Sequence, residues 1–139
     1  MATAIVFFYA FKANAVEADN LGSDTYKMML TDVAPNVSTN AVKGDITQIA
    51  SGNGYTTDGN ACTVSSHGQT GGTYKLVLNS PATWTAGPST MATFRYLVLY
   101  DVTTSNLIGY YDYGGEVTLN SGDTFTITLD GTNGVLQLT

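Results

Sequence analysis

The sequence predicts an all-β domain, either a sandwich or a barrel. From residue 61 onward, turn-forming residues recur about every 8 to 12 positions, which is the spacing of short antiparallel strands. Residues 124–129 alternate strictly, with Phe125, Ile127 and Leu129 on one face and threonine on the other. This two-residue period indicates a strand that is buried on one side.

Two further segments predict strands that are covered on both faces. Residues 94–101 are apolar on both faces, which is typical of a central strand. Residues 107–114 have the same character and end at Gly114-Gly115, a two-residue turn that could lead directly into a strand at 116–119 and so form a hairpin. The other predicted strands are 25–31, 62–66, 73–79, 83–86 and 134–138.

The N-terminal region is less regular. The apolar run at 4–11 lacks a preceding basic segment and is far shorter than the roughly 20 residues that span a bilayer, so we expect a buried segment and no membrane partner. Residues 11–21 could form one short helix before Gly22. We expect a single domain over 1–139, in which 1–20 form either an N-terminal arm or a core strand.

Composition limits the possible partners. Only 12% of the 139 residues are charged, about half the usual share, and the formal net charge is −6. The five basic residues are scattered along the chain, so they predict no phosphate-binding stripe and no nucleic-acid partner. Lysine commonly protects exposed sheet edges. The scarcity of basic residues in this chain therefore favours sheet edges that are covered by neighbouring subunits. We expect a homodimer rather than a trimer.

Few residues suggest catalysis or metal binding. A single histidine excludes a multi-histidine metal centre, and we expect Cys62 to be a buried thiol and His67 a loop residue, so that they form no nucleophile pair. Asp112 and Glu116 would flank the predicted hairpin, at a spacing compatible with a glycosidase pair, and Asp101 could lie on a neighbouring strand. Solvated turn carboxylates are the expected explanation. We therefore predict no enzyme activity, no cofactor and no metal.

Aromatic residues are better candidates for function, because tyrosine and tryptophan provide large contact areas with a polar edge. Gly52-Asn53-Gly54 could hold Tyr55 on an exposed loop, and the lone Trp84 could form a stacking face together with a tyrosine cluster. Core packing would explain the cluster equally well. Its members are Tyr96, Tyr100, Tyr110, Tyr111 and Tyr113.

Six sequence blocks, in this order and at this spacing, resemble a family of small tailed-phage and prophage virion proteins. They are LGSDTYKMMLTDVAPN (21–36), DITQIASGNGYT (45–56), GTYKLV (72–77), FRYLVLYD (94–101), LIGYYDYG (107–114) and LNSGDTFTITLDGTNGVLQL (119–138). Members are known as hypothetical structural proteins or as capsid decoration (cement) proteins. The resemblance implies a jelly-roll-like antiparallel β-sandwich, here of about eight strands, that is made in the bacterial host cytoplasm and binds the outer surface of the assembled head.

In that role the protein would staple neighbouring major-capsid subunits. Interface energy concentrates in buried aromatic contacts, so the expected anchors are Phe7, Phe8, Tyr9 and Tyr55. The alternative is a glycan- or receptor-binding β-sandwich of a phage tail or fibre, which would use Trp84 and the tyrosine cluster as stacking platforms.

Overall fold

The computed structural model describes residues 4–139, and these residues form ten strands and one α-helix. The helix, α1, is Tyr9–Glu17, and a single 3-10 turn covers Lys43–Asp45. The strands are β1 (Val6–Phe7), β2 (Tyr26–Thr31), β3 (Asn60–Ala61), β4 (Val64–Thr70), β5 (Thr73–Leu78), β6 (Trp84–Thr85), β7 (Phe94–Asp101), β8 (Leu107–Val117), β9 (Thr124–Phe125) and β10 (Leu136–Leu138).

The strands form three antiparallel sheets. The largest has the order β1-β8-β7-β2-β3, the second β10-β5-β4, and the third consists of β6 and β9. One hydrophobic cluster contains side chains from all three sheets, such as Leu30 of β2, Leu76 of β5 and Trp84 of β6. The expected all-β antiparallel sandwich with one short helix is confirmed, with ten strands in residues 4–139 instead of about eight.

β7 is a central strand, as predicted. It pairs with β2 on one side and with β8 on the other. Consecutive residues from Leu97 to Asp101 are all buried, so both faces of the strand are covered. This double burial explains why its sequence is a continuous apolar run and does not alternate.

The predicted hairpin at Gly114-Gly115 is wrong, because β8 continues through both glycines. Near the start of β7, Phe94 lies opposite Val117. Two residues later, Tyr96 lies opposite Asp112, so four residues of β8 face a single residue of β7. Gly114 adopts a positive φ of 95° within this bulge. The glycines therefore accommodate extra residues within one strand, where the sequence had suggested a turn between two strands.

The strand predicted at 124–129 is shorter than expected. Only Thr124 and Phe125 pair with another strand, namely β6. Burial nevertheless alternates to the end of the segment, with Ile127 and Leu129 buried between exposed threonines. The backbone N–H of Leu129 bonds to the Ser80 hydroxyl at 2.9 Å, so a side chain replaces a strand partner there.

The other strand predictions are mostly confirmed. Those at 25–31 and 73–79 correspond to β2 and β5, and the end of the segment at 134–138 forms β10. The strand predicted at 62–66 begins later and extends as β4 to the tight turn at Gly71-Gly72. The predicted strand at 83–86 is reduced to the two residues of β6.

The N-terminal segment packs against the large sheet. β1 pairs with β8 at one edge of this sheet, and α1 begins directly afterwards. Phe8 and Phe11 are buried in the common hydrophobic cluster, which fixes α1 beside β8. The helix begins two residues earlier than predicted and ends at Glu17. Residues 1–3 of the predicted arm lie outside the described residues.

Candidate functional site

Phe7, Phe8 and Tyr9 lie in three different environments. Phe8 is completely buried, and its N–H donates to the Ile108 carbonyl at 3.1 Å. Phe7 is half-buried and stacks on Phe11, with ring centroids 5.4 Å apart. Tyr9 is 58% exposed. Only Tyr9 is thus fully available as a contact anchor, and the expectation that Phe8 contacts a partner is wrong because its ring fills the core.

The solvent-facing side of α1 is apolar along its centre, and the exposed Lys12 and Glu17 flank this part. Tyr9, Ala13 and Val16 are all exposed, and their i, i+4, i+7 spacing places them on one face of the helix. Val16 is 82% exposed. We call these three residues the helix stripe. Among residues 4–139, no hydrophobic side chain covers it, and the Lys12 ammonium lies over the Tyr9 ring, 5.3 Å from its centroid.

Tyr55 is not on an exposed loop, and that prediction is wrong. The side chain is only 2% exposed, because residues 52–55 form a tight turn that directs it inward. Its hydroxyl donates to Gln48 Oε1 at 2.6 Å and accepts a hydrogen bond from the Leu30 N–H at 3.3 Å. Burial raises the pKa of Tyr55 to about 12. The residue connects the 48–58 loop to β2 and is unavailable to a partner.

Trp84 is also buried, at 1% exposure, which removes the proposed stacking platform. Its ring lies 6.3 Å from Phe125, within an aromatic cluster that also contains Phe94 and Tyr113. Of the tyrosine cluster, Tyr100 and Tyr111 are buried and only Tyr113 is exposed. A glycan-binding site would therefore lack its central aromatic surface.

The carboxylates considered for catalysis have different roles. Asp112 accepts two hydrogen bonds from the Arg95 guanidinium, at 2.8 and 3.1 Å, and Arg95 holds the pKa of Asp112 below its usual value. Glu116 is exposed on the bulged part of β8. An ionised Asp112 that is paired with arginine is a poor proton donor, so Asp112 does not suit the acid role in a glycosidase pair.

Cys62 and His67 lie in opposite environments. Cys62 is buried, as predicted, and burial raises the pKa of its thiol to about 12. His67 is exposed, but it belongs to β4 and not to a loop. A thiol that remains protonated at neutral pH is a poor nucleophile.

Sequence reasoning missed a cluster of three carboxylates. Asp19 follows α1, Asp24 precedes β2, and Asp101 ends β7. Tyr26 lies directly opposite Asp101 in the β2–β7 ladder, which brings the segment before β2 close to the end of β7. One oxygen from each carboxylate lies within 4.8 Å of the other two. Asp101 is completely buried, Asp24 nearly so, and Asp19 is half-buried.

Each carboxylate of this cluster is held in place through one of its oxygens. Asp101 Oδ1 accepts hydrogen bonds from the backbone N–H groups of Thr103 and Thr104, at 2.9 and 3.2 Å. Asp19 Oδ1 accepts from the Thr104 hydroxyl and from the Asn106 amide, both at 3.0 Å. Asp24 Oδ2 accepts from the backbone N–H of Asn20 at 2.9 Å.

The other oxygens of Asp19 and Asp101 are buried, and no N–H or hydroxyl group within residues 4–139 donates a hydrogen bond to them. The ion pairs among the described residues join Lys43 to Asp58 and Arg95 to Asp112, so neither neutralises the cluster. Burial raises the pKa of Asp101 to about 7, and a side-chain hydrogen bond with Asp24 and the charges of Asp24 and Asp19 reinforce this shift.

This shift predicts an unusual pH dependence of stability. The prediction applies to protein that a chelator has freed of metal ions, because a bound ion would change the charge of the cluster. Folded Asp101 retains a proton up to a pH of about 7, whereas in the unfolded chain its pKa is the ordinary 3.8. The folded state therefore binds more protons between these values, so the free energy of unfolding should fall as the pH rises from 5 to 8. Asp24 and Asp19 raise the pKa of Asp101. Burial and the charge of Asp101 in turn raise the pKa of the Tyr26 hydroxyl.

Urea unfolding at pH 5, 6.5 and 8 measures this effect. The fall in stability should be present in the parent chain and absent in Asp101→Asn, which keeps the shape of the side chain but cannot ionise. The two proteins share every other titratable group, so the difference between them isolates Asp101. Identical pH profiles for the two proteins would contradict this prediction.

Comparison of the chain with protein-family models, with curated proteins and with solved structures yields no match. Within residues 4–139, no helix combines the length and the apolar character needed to cross a membrane. Function is therefore inferred from the geometry of the chain and from its sequence resemblance.

Proposed function

We propose that the protein is a structural virion protein that binds the outer surface of an assembled phage capsid and cements neighbouring major-capsid subunits. The observation that carries the proposal is the helix stripe. This stripe is an exposed apolar surface on a helix that is firmly attached to the β-sandwich through Phe8 and Phe11. The sequence resemblance supplies the partner.

The arrangement of the stripe supports a contact function. Single exposed apolar residues are common on protein surfaces, but three on one helix face form a patch that can pack against another surface. Tyrosine is enriched among residues that dominate interface energies. Because α1 is already ordered, binding would require little loss of backbone freedom.

The exposed edge of β4 supports a second contact. Within residues 4–139 this strand pairs only with β5, and none of its seven residues is lysine, arginine or an acid. Natural edge strands usually carry charges that prevent pairing with another chain. A second copy of the protein could pair there, in agreement with the expected homodimer.

Cementing requires no catalysis. A protein that binds assembled capsid subunits, and not dissociated ones, shifts the assembly equilibrium toward the capsid by mass action. Many copies on a symmetric lattice multiply a modest binding energy at each site. This mechanism requires only a rigid domain with suitable contact surfaces.

Co-sedimentation with heads of the parent phage tests the proposal. We expect saturable binding to expanded heads that lack the decoration protein and no binding to unexpanded proheads, whose subunits are arranged differently. The protein must be shown to be folded by circular dichroism before use. Failure to bind either particle would overturn the capsid assignment.

A further inference from the structure

We propose that Asp19, Asp24 and Asp101 form a binding site for a calcium ion. The inference goes beyond the capsid-binding function and does not depend on it. It rests on two observations: oxygens of all three carboxylates lie within 4.8 Å of one another, and Oδ2 of Asp19 and of Asp101 are buried and receive no hydrogen bond from an N–H or hydroxyl group in residues 4–139.

The unpartnered oxygens point to a positively charged ligand. A buried carboxylate oxygen without a partner is unfavourable, since it has lost its hydration and gained nothing in exchange. Asp101 is completely buried, and the ion pairs of the described residues lie elsewhere. A cation among the three carboxylates would supply the missing interaction for both orphan oxygens.

The chemistry of the site favours calcium. Calcium takes six to eight oxygen ligands at about 2.3–2.6 Å, so oxygens on opposite sides of the ion are separated by up to about 5 Å. The three carboxylate oxygens, which all lie within 4.8 Å of one another, are compatible with this geometry. Magnesium binds at about 2.0–2.1 Å and demands a more regular octahedron. Carboxylate oxygens are also poor ligands for softer metals, which prefer nitrogen or sulfur.

The carboxylates are preorganised for an ion. Backbone and side-chain donors from the β7–β8 turn hold Asp101 and Asp19 through their Oδ1 atoms, which leaves the Oδ2 atoms for an ion. Asp19 is half-buried and also lines a surface cavity of about 350 Å³. Calcium would take its remaining ligands from water.

A bound ion would connect three separate segments of the chain. Asp19 lies just beyond α1, Asp24 lies before β2, and Asp101 begins the turn into β8. Calcium would therefore tie the end of α1 to the centre of the large sheet. Because the ion binds the folded arrangement and not the dispersed aspartates of an unfolded chain, it should raise the stability of the whole domain.

Calorimetric titration of chelator-treated protein with calcium chloride at pH 8 tests the inference, together with melting temperatures at 0 and 1 mM calcium. We expect one ion per chain and a higher melting temperature with calcium. Asp24→Asn should weaken calcium binding at least tenfold, and Asp101→Asn should abolish the thermal shift. The matched control, Asp32→Asn, removes a charge from an exposed loop position and should bind calcium like the parent.

The competing occupant of the site is a proton shared between Asp24 and Asp101. In that case calcium would produce neither heat nor a thermal shift at pH 8, and the inference would be overturned. Tighter binding of magnesium than of calcium would contradict the assignment of the ion. Both readouts use the isolated protein, so they remain informative even if capsid binding is not observed.

Discussion

Replacing Phe94 with alanine should lower the free energy of unfolding by about 3–5 kcal/mol, the usual effect of removing a buried phenylalanine. Phe94 is completely buried and meets the Phe125 ring edge-on, with centroids 5.0 Å apart. It belongs to β7 of the large sheet, whereas Phe125 belongs to β9 of the two-stranded sheet. The substitution would therefore remove packing between two sheets as well as leave a cavity.

Urea unfolding monitored by circular dichroism measures this loss, with the slope of the transition serving as a check on two-state behaviour. Tyr113→Ala is the control, because Tyr113 contacts the same Phe125 ring but is half exposed. It should lower stability by about 1 kcal/mol or less. Equal losses for the two variants would contradict a core role for Phe94. If Phe94→Ala does not fold, Phe94→Leu allows the same comparison.

Replacing Val16 with lysine should weaken capsid binding at least tenfold, equivalent to about 1.4 kcal/mol, without reducing stability. The side chain is 82% exposed, so no core packing is lost. Lysine is a good helix former, and its charge is favourable in the last turn of α1. In an apolar interface, however, the lysine ammonium would lose its hydration, and this cost is the reason for the weaker binding.

Val33→Lys is the matched control for this variant. Val33 is also an exposed valine, but it lies on the loop after β2 and outside the helix stripe. The two variants have the same net charge, so a general electrostatic effect would change both equally. Binding curves from co-sedimentation should separate them. Equal affinity of Val16→Lys and the parent chain would remove the helix stripe from the proposed contact.

Local patterns predicted the central part of the fold well. The segments that became β2, β5 and β7 each have a strong apolar pattern, and burial in the core reinforces the local preference. The error at Gly114-Gly115 has a different origin. Two glycines are compatible with either a hairpin turn or a bulge, and only pairing with the distant β7 selects the bulge.

The contact residues were harder to predict, because sequence alone does not tell which aromatic side chains the core takes up. Tyr55 follows a glycine-rich loop, which suggested exposure, yet the tight turn brings its hydroxyl to Gln48 and to the backbone of Leu30. Trp84 fills the space beside the two-stranded sheet. Conversely, the exposure of Val16 was not predicted, because a valine in a short helix usually faces the core.

The carboxylate cluster shows a further limit of sequence reasoning. Asp19 and Asp24 are close in the sequence, but Asp101 is distant and reaches them only through the pairing of β2 with β7. One signal was present: Asp101 ends a segment that is apolar on both faces, so its carboxylate was bound to be buried. The register that places it near Asp24 could not be derived from the sequence.

A cryo-electron-microscopy reconstruction of expanded heads saturated with the protein tests the proposed contact most directly. We predict that α1 faces the major-capsid subunits, with Tyr9 and Val16 within contact distance of them. Density in which α1 faces solvent, while another surface of the sandwich contacts the capsid, would contradict the role proposed for the helix stripe.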